Sequence, residues 1–539
     1  MNLEDSPTPP PPPSSEGAED HNISTNQASS TMKGKKQTPQ KAFEHIVEFY
    51  LADNRTTQRG RTAELEVRFG THPKSGKPLS KIDYDNVFQQ FHRAGFKTEN
   101  TDGISMLRIS GEELNRRTGQ IFISKLRTEI VGLDLIQEYC RTNNIQKLLD
   151  LPSTMSAVAD KIKFTKKQSP MIDEHPLKPV DFDDFNFRVA YQYEQDYYAH
   201  SNVGKSVIST WLDTKKVFRY INRVRLRHPD YPVFLDLSIL KGSSKKNKYV
   251  PIPQYTVQEA NVFNNEESYE VELELDNTRI GAGTQYTSNE QIMTVLRKCI
   301  RMVLSGIQGT NFPISNSEKK NVMMSYFHMV FGEEDDFIHQ YYSDDERVSG
   351  KARKKLTKHF IGPSSFTLQM SNIAELGEEK ESDLAIPNIR KNYTVTDKAD
   401  GERKMLYIAP NGHMYMIDTN MNILFTGVVT RNKELFDSLL DGEHIQYDKK
   451  QRFVNLYAAF DIYYIKGKSV RELNFVAMNE SSVPEKFRLP LLNNFVRMLE
   501  PMSVLDKDSG NSDPSDKHHA NAKNKKTNLC WVQIKCKTF

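Results

Sequence analysis

Apolar and polar residues alternate in two short stretches that lie far apart in the chain. The first reads Glu64-Leu65-Glu66-Val67-Arg68-Phe69 and the second Tyr269-Glu270-Val271-Glu272-Leu273-Glu274-Leu275. Side chains two apart along a strand share a face, so each stretch predicts a strand with its charges on one side. An antiparallel strand with one wet face alternates in the same way. The sign of the charge argues against that reading, because successive acids with no interleaved lysine make a poor exposed face. Carboxylates about 5 Å apart repel by ~3 kcal/mol at an effective dielectric near 20, so two such rows call for cations between them.

Further strands are predicted over Ser105 to Ile109, Phe187 to Tyr191 and Val233 to Leu237, and this β-rich stretch ends near Leu275. A helix follows, with Ser288 and Gln291 spaced as a capping box. Its apolar stripe is Ile292, Val295, Leu296, Cys299 and Val303, with Gly306 as its expected stop. The charged stretch from Glu333 to Lys358 reads as a linker or exposed helix. A second β-rich block runs from Phe360 to about Leu505, and Cys530 to Phe539 reads as a strand that stops abruptly. Two segments are too polar to be core: the Pro- and Ser-rich start, and 506–528. The expected division is therefore a disordered tail at 1–42, a first domain at 43–330, a linker at 331–359 and a second domain at 360–539.

The totals narrow the functional classes. A length of 539 residues exceeds the usual single domain. Lys+Arg 73 against Asp+Glu 70 leaves a net charge of only +3, so nucleic-acid contacts must come from local clusters. The four cysteines, Cys140, Cys299, Cys530 and Cys536, lack metal-ligand spacing and fit a reducing compartment. With no bilayer-length apolar run and no signal-peptide core, the expectation is a soluble intracellular protein with no membrane partner.

Basic residues crowd the other strands of the first block: Arg108, Lys125, Arg127, Lys163, Lys166, Arg219, Arg223, Arg225 and Lys241. Acids from two strands and bases from the rest, facing into one barrel, make a site for a divalent cation and polyphosphate. On these residues the first half resembles the tunnel-fold, metal-dependent RNA triphosphatases of fungi and large DNA viruses. The resemblance implies that Glu64, Glu66, Glu272 and Glu274 hold Mg²⁺ or Mn²⁺, with Glu270 as a further candidate. It also implies that Arg68, Arg127, Lys166, Arg225, Asp236 and Lys241 bind the triphosphate.

The second block contains Lys398-Ala399-Asp400-Gly401-Glu402-Arg403, between strand-like Tyr393-Thr394-Val395 and Met405 to Ile408. Taken alone, it reads equally well as an Asp-Gly hairpin turn. Two companions follow in order, Leu440-Asp441-Gly442-Glu443-His444-Ile445 and Tyr457 to Tyr464 with Phe460-Asp461 at its centre. The set resembles motifs of the covalent nucleotidyltransferases, which include capping guanylyltransferases and polynucleotide ligases. The resemblance implies that Lys398 attacks the α-phosphate of the substrate GTP and carries GMP. Arg403 and Glu443 would then grip the ribose, Phe460 would stack on the base, and Gly401 would keep the turn open for the nucleotide. Asp400 and Asp461 are expected to be supporting residues. A lysine nucleophile must be neutral, so its pKa has to fall from ~10.4.

A tunnel followed by a nucleotidyltransferase resembles the mRNA capping enzyme of large nucleocytoplasmic DNA viruses. The implied fold class is α+β: an antiparallel β-tunnel, then an incomplete nucleotidyltransferase domain of the ATP-grasp-like, ligase type. The implied partners are the nascent RNA 5′ end, GTP, and a viral methyltransferase or RNA polymerase. The implied location is the host cytoplasm, the viral factory or the virion. One departure stands out. No Asp-Gly pair follows Phe460-Asp461, and Lys535-Cys536-Lys537 only mimics the family's last Lys-x-Lys strand. The chain is therefore expected to end before those motifs, with guanylyl transfer impaired. Two other readings remain open. An ATP-dependent ligase-like adenylyltransferase would use Lys398 but leaves the acidic strands unexplained, and a decayed module would bind or scaffold RNA through its basic strands.

Overall fold

The computed structural model describes residues 38–53, 61–70, 78–151, 161–172, 174–247, 250–332, 336–343, 346–375, 387–390, 393–476, 486–504 and 532–539. The polar stretch 506–528, Cys530 and all of the expected tail before Thr38 lie outside these residues. Helix α1 (Pro39–Asp53) starts ahead of the expected boundary at Phe43 and buries Phe43, Ile46, Val47, Tyr50 and Leu51. Proline suits a first helical position, since its missing N–H would have no helical partner there.

Eight long strands form the first sheet: β1 (Arg61–Phe69), β2 (Ile104–Leu114), β3 (Ile121–Val131), β4 (Ile162–Gln168), β5 (Phe187–Tyr197), β6 (Lys216–Arg227), β7 (Val233–Gly242) and β8 (Ser268–Leu275). Their order is β1-β8-β7-β6-β2-β3-β4-β5, and β5 pairs back onto β1. Every pairing in the ring is antiparallel, so the sheet closes into a tunnel without a free edge. The alternation in the sequence decides which side of the wall each residue takes. Leu65, Val67 and Phe69 of β1 and Val271, Leu273 and Leu275 of β8 pack outward in one core. Helices α1, α2 (Lys81–Arg93) and, later in the chain, Asn289–Gln308 supply the rest of that core. A separate outer core joins Leu107, Ile109, Phe164 and Phe218 to α3 (Leu133–Thr142).

Helix α4 (Asn289–Gln308) has the expected capping box between Ser288 and Gln291. It does not stop at Gly306: the left-handed cap is Gly309, with φ of 65°. Gly306 instead lets α4 press against α2, since a Cβ there would lie 2.8 Å from Val87 Cα. Gly306→Ala is accordingly expected to destabilise the protein by roughly 1–3 kcal/mol through overpacking, despite the better helix propensity of alanine. A thermal melt at or above the wild-type midpoint would contradict this.

The described residues of 331–359 do not form a linker. Phe337, Ile338, Ala352 and Leu356 are buried with Val322, Met323, Tyr326 and Phe327 of α5 (Asn316–Phe331) against Met405, Tyr407 and Phe425. Phe312 and Ile314 join the same core, so residues expected in the first domain up to 330 pack with the second. The high charge of the segment masks a narrow apolar stripe, which is all that a helix packed on one side requires.

The second sheet is built from β9 (Glu402–Ile408), β10 (His413–Asp418), β11 (Ile423–Val429), β12 (Ser438–Tyr447), β13 (Phe453–Ile465) and β14 (Gln533–Cys536). Strands β13-β12-β9-β10-β11 are antiparallel neighbours, and β14 runs parallel beside β13. Both faces are covered. Met405 and Tyr407 belong to the core shared with α5, while Leu406 and Ile408 pack with Leu492 and Phe495 of α6 (Arg488–Met498). Tyr393-Thr394-Val395 is an exposed loop and not the expected strand. No helix among the described residues is long and apolar enough to cross a membrane.

Candidate active sites

Pairing of β1 with β8 sets Glu66 opposite Glu274 and Arg68 opposite Glu272. The two acidic rows are thus neighbours on the inner wall, and Glu66 is buried there. Lys167 Nζ ion-pairs with Glu64 and lies 3.6 Å from Glu66 and 3.3 Å from Glu194. Arg68 Nε is 3.0 Å from Glu272. Arg223 spans Asp236 at 2.9 Å and Glu272 at 3.0 Å, and Arg225 grips Asp236 with both arms of its fork while also reaching Glu274. Elsewhere on the wall, Arg108 and Arg127 lie 2.8 and 2.7 Å from Glu129. The lumen is therefore a lattice of alternating charge.

The lattice is uneven in its electrostatics. Burial by itself would raise Glu272, but Arg223, Arg68 and Lys167 overcome it and hold the carboxyl at about 2. At Glu64 burial wins. Lys167 draws its pKa down, Glu194 and Glu66 push it up, and the group ends at about 8. Burial also raises Glu274, although Arg225 opposes it. The Nε groups of Arg68, Arg108 and Arg127 are buried close to carboxylate oxygens, yet none has an aligned acceptor. A buried donor in that state costs about 1–3 kcal/mol, so correctly placed anionic oxygens would be stabilised in this lumen.

The residues fit a hard divalent cation by donor chemistry. Glu64, Glu66, Glu272 and Glu274 offer only oxygens, and the raised Glu64 marks a place where added positive charge is favourable. Among the described residues, as they stand ion-paired, no three acids, histidines or cysteines converge as a metal site.

Of the expected triphosphate ligands, Arg68, Arg127, Arg225 and Asp236 line the lumen. Lys166 and Lys241 do not, and these two placements correct the expectation. Ile162 and Phe164 pack in the outer core, so Lys166 shares their outward face and Lys167 turns inward. Lys241 follows Leu235, Leu237 and Ile239 on the outside and donates to the Phe263 carbonyl at 3.1 Å. Glu129, Lys167 and Glu194 were missed. The apolar phase of Ile162 and Phe164 was the signal that could have selected Lys167.

In the second domain, Lys398 stands in the loop before β9, with its side chain 90% exposed and Asp400 3.7 Å away. Gly401 donates its N–H to Glu443 Oε1 at 3.1 Å. A Cβ on Gly401 would sit 2.7 Å from the His444 carbonyl oxygen. The glycine is therefore needed for contact with β12 rather than for an open turn. Arg403 forks onto the fully buried Asp441, which also accepts from Tyr463 at 2.7 Å. Its guanidinium lies 5.6 and 5.7 Å from the ring centres of Phe360 and Phe460. Asp461 holds Arg488 at 2.8 and 3.2 Å, a supporting contact. Behind the loop, the buried Lys404 Nζ is 3.1 Å from His444 Nδ1, whose Nε2 is 2.8 Å from Asn455 Oδ1.

The last strand changes the reading of Lys535-Cys536-Lys537. It is a true member of the sheet: Lys535 is opposite Ala458, and the Lys537 N–H donates to the Ala459 carbonyl at 2.7 Å. Thr396 in the Lys398 loop donates to the Thr538 carbonyl at 2.6 Å. The Lys-x-Lys segment thus lies beside the strand of Phe460 and is tied to the loop of Lys398.

Residues 382–486 match the model of the mRNA capping enzyme, catalytic domain. A protein of Acanthamoeba polyphaga mimivirus, described as a probable mRNA-capping enzyme, is 31% identical over 138 residues, which is 25% of this chain and 10% of that protein. Among solved structures, the mimivirus capping enzyme triphosphatase is 14% identical, with a TM-score of 0.28, over 50% of this chain and 100% of that one. The S. pombe Pct1 RNA triphosphatase is 11% identical, with a TM-score of 0.27, over 52% of this chain and 98% of that one. Residues 382–486 are thus similar to the catalytic domain of mRNA capping enzymes, and in this chain they follow a closed eight-stranded tunnel.

Proposed function

We propose that this chain carries out two successive steps of mRNA 5′ capping. In the first, water attacks the γ-phosphorus of a 5′-triphosphate RNA, the bond to the bridging β,γ oxygen breaks, and phosphate leaves a diphosphate end. Arg68, Arg108, Arg127, Lys167 and Arg223 bind the phosphate oxygens in a lumen sheltered from bulk water, where fixed charges act strongly on the transition state. Glu64, Glu66, Glu272 and Glu274 would hold Mg²⁺ or Mn²⁺, which when bound supplies Lewis-acid neutralisation of the γ-phosphate. In the second step, neutral Lys398 Nζ attacks the α-phosphorus of GTP and pyrophosphate leaves. The RNA diphosphate then displaces the lysine from GMP. Arg403, held by Asp441 and flanked by the Phe360 and Phe460 rings, would meet the nucleotide, and Lys535 and Lys537 would meet its phosphates.

The observation that carries this reading is the joining of a buried lattice of acids and bases in a closed tunnel to a Lys398 domain that matches the capping-enzyme model. It is tested on the full chain with Mn²⁺. Phosphate should be released from 5′-triphosphate RNA, and a label from α-labelled GTP, not ATP, should stay on the protein. A label from ATP alone would favour the ligase reading, and an absence of phosphate release would remove the tunnel's assigned role.

A further inference from the structure

Lys166, turned out of the tunnel, opens into a different feature. Strand β2 pairs with β6 only as far as Gly111, and β3 pairs with β4 only from Leu126. Glu112 still donates its N–H to the Lys215 carbonyl at 2.8 Å, and beyond it Glu113 and Leu114 pair with Phe122 and Ile121, so the hairpin rises from the rim as a two-stranded finger. Its turn is well defined. Asn115 Oδ1 accepts the N–H groups of Arg117 and Thr118 at 3.0 and 3.2 Å, and Gly119 takes a φ of 69°. Arg116 and Arg117 are presented at the exposed tip, and Phe122 at the base is 43% exposed. A cavity of about 290 Å³ lies against that base, lined by Phe122, Lys125, Lys166 and Tyr197 among others.

Charge separates this surface from the lumen. Arg68, Arg108, Arg127, Lys167, Arg219, Arg223 and Arg225 each face a carboxylate on the inner wall. Arg116, Arg117, Lys125 and Lys166 have no such partner among the described residues, and the one acid lining the cavity, Glu113, is engaged by the Ser124 hydroxyl. Unpaired cations beside two aromatic faces are the combination that single-stranded nucleic acid uses, with bases on the rings and phosphates on the ammonium groups.

We propose that the finger and its cavity bind single-stranded RNA downstream of the 5′ end, with Phe122 and Tyr197 facing a base and Lys125 and Lys166 the flanking phosphates. This rests on the tunnel being the site that takes the RNA 5′ end. Because Lys166 and Lys167 are consecutive, β4 would serve body and end from its two sides.

The test uses the full chain and a 5′-hydroxyl RNA decamer, whose binding does not need the triphosphate site. Lys125→Ala/Lys166→Ala should weaken binding at least about fivefold and reduce the salt slope by about 1.4, the value for two single-strand phosphate contacts. Phe122→Ala should weaken binding without changing that slope. Phosphate release from a 5′-triphosphate dinucleotide should be unchanged in all these variants. Wild-type affinity and slope in the double variant would overturn the proposal, as would loss of dinucleotide turnover in step with decamer binding. If the wild-type chain releases no phosphate from the dinucleotide, the tunnel reading fails by itself, and the decamer data still decide whether RNA sits on the finger.

Discussion

Glu272→Gln is expected to slow phosphate release from 5′-triphosphate RNA by at least ~100-fold, the scale seen when a fixed electrostatic contact is removed from a water-excluded site. Glu272 is the acid that Arg223, Arg68 and Lys167 hold most firmly ionised. It also stands opposite Arg68 in the pairing of the two acidic strands. Glutamine keeps the shape and removes the charge, leaving Arg68 and Arg223 with uncompensated positive charge. Breaking a buried pair costs roughly 3–5 kcal/mol, so loss of folding must be separated from loss of chemistry. The same molecule supplies the control, because labelling by GTP at Lys398 should persist if the chain is folded. Retention of more than half the phosphate release, with labelling intact, would remove Glu272 from the site.

Lys398→Ala should abolish the covalent GMP label, with no detectable residue. Its side chain is exposed and its nearest carboxylate is Asp400 at 3.7 Å. The change should therefore alter stability by no more than about 0.5 kcal/mol. Lys398→Arg should be equally inactive, since a guanidinium does not become a neutral nucleophile. Phosphate release should be untouched in both variants. Persistent label in Lys398→Ala would move the nucleophile elsewhere, and peptide mapping would show where. Lys404 is the lysine to examine first, being buried beside His444 Nδ1 at 3.1 Å.

Much of this was readable from local pattern. Alternation along Glu64 to Phe69 and Tyr269 to Leu275 was enough to state that the glutamates share a face opposite Val67 and Leu273. The structure puts those apolar residues in the outer core. The order of the Lys398, Asp441 and Phe460 segments was likewise visible, as was the helix cap at Ser288. Each is a property of a few consecutive residues, set by backbone geometry. The neighbouring pair Lys166 and Lys167 shows where that information ends. Either could face the lumen until the phase of the strand is known, and Ile162 and Phe164 decide it by packing outside.

Other features were settled only by contacts across long separations. Closure of the tunnel needs β5 to return to β1, and the ion pairs of Arg225 with Asp236 and Glu274 exist only because three strands take one register. Residues 331–359 look like a linker until Phe337 and Leu356 find a core built from β9 to β11. Lys535 reaches Ala458 by a parallel pairing across a polar stretch, which no local pattern announces. By itself the sequence determined which face of each acidic strand is charged and which lysine opens the segment that resembles a nucleotidyltransferase motif. The tertiary structure decided which charges meet, because partner choice depends on register and closure between segments that share no local signal.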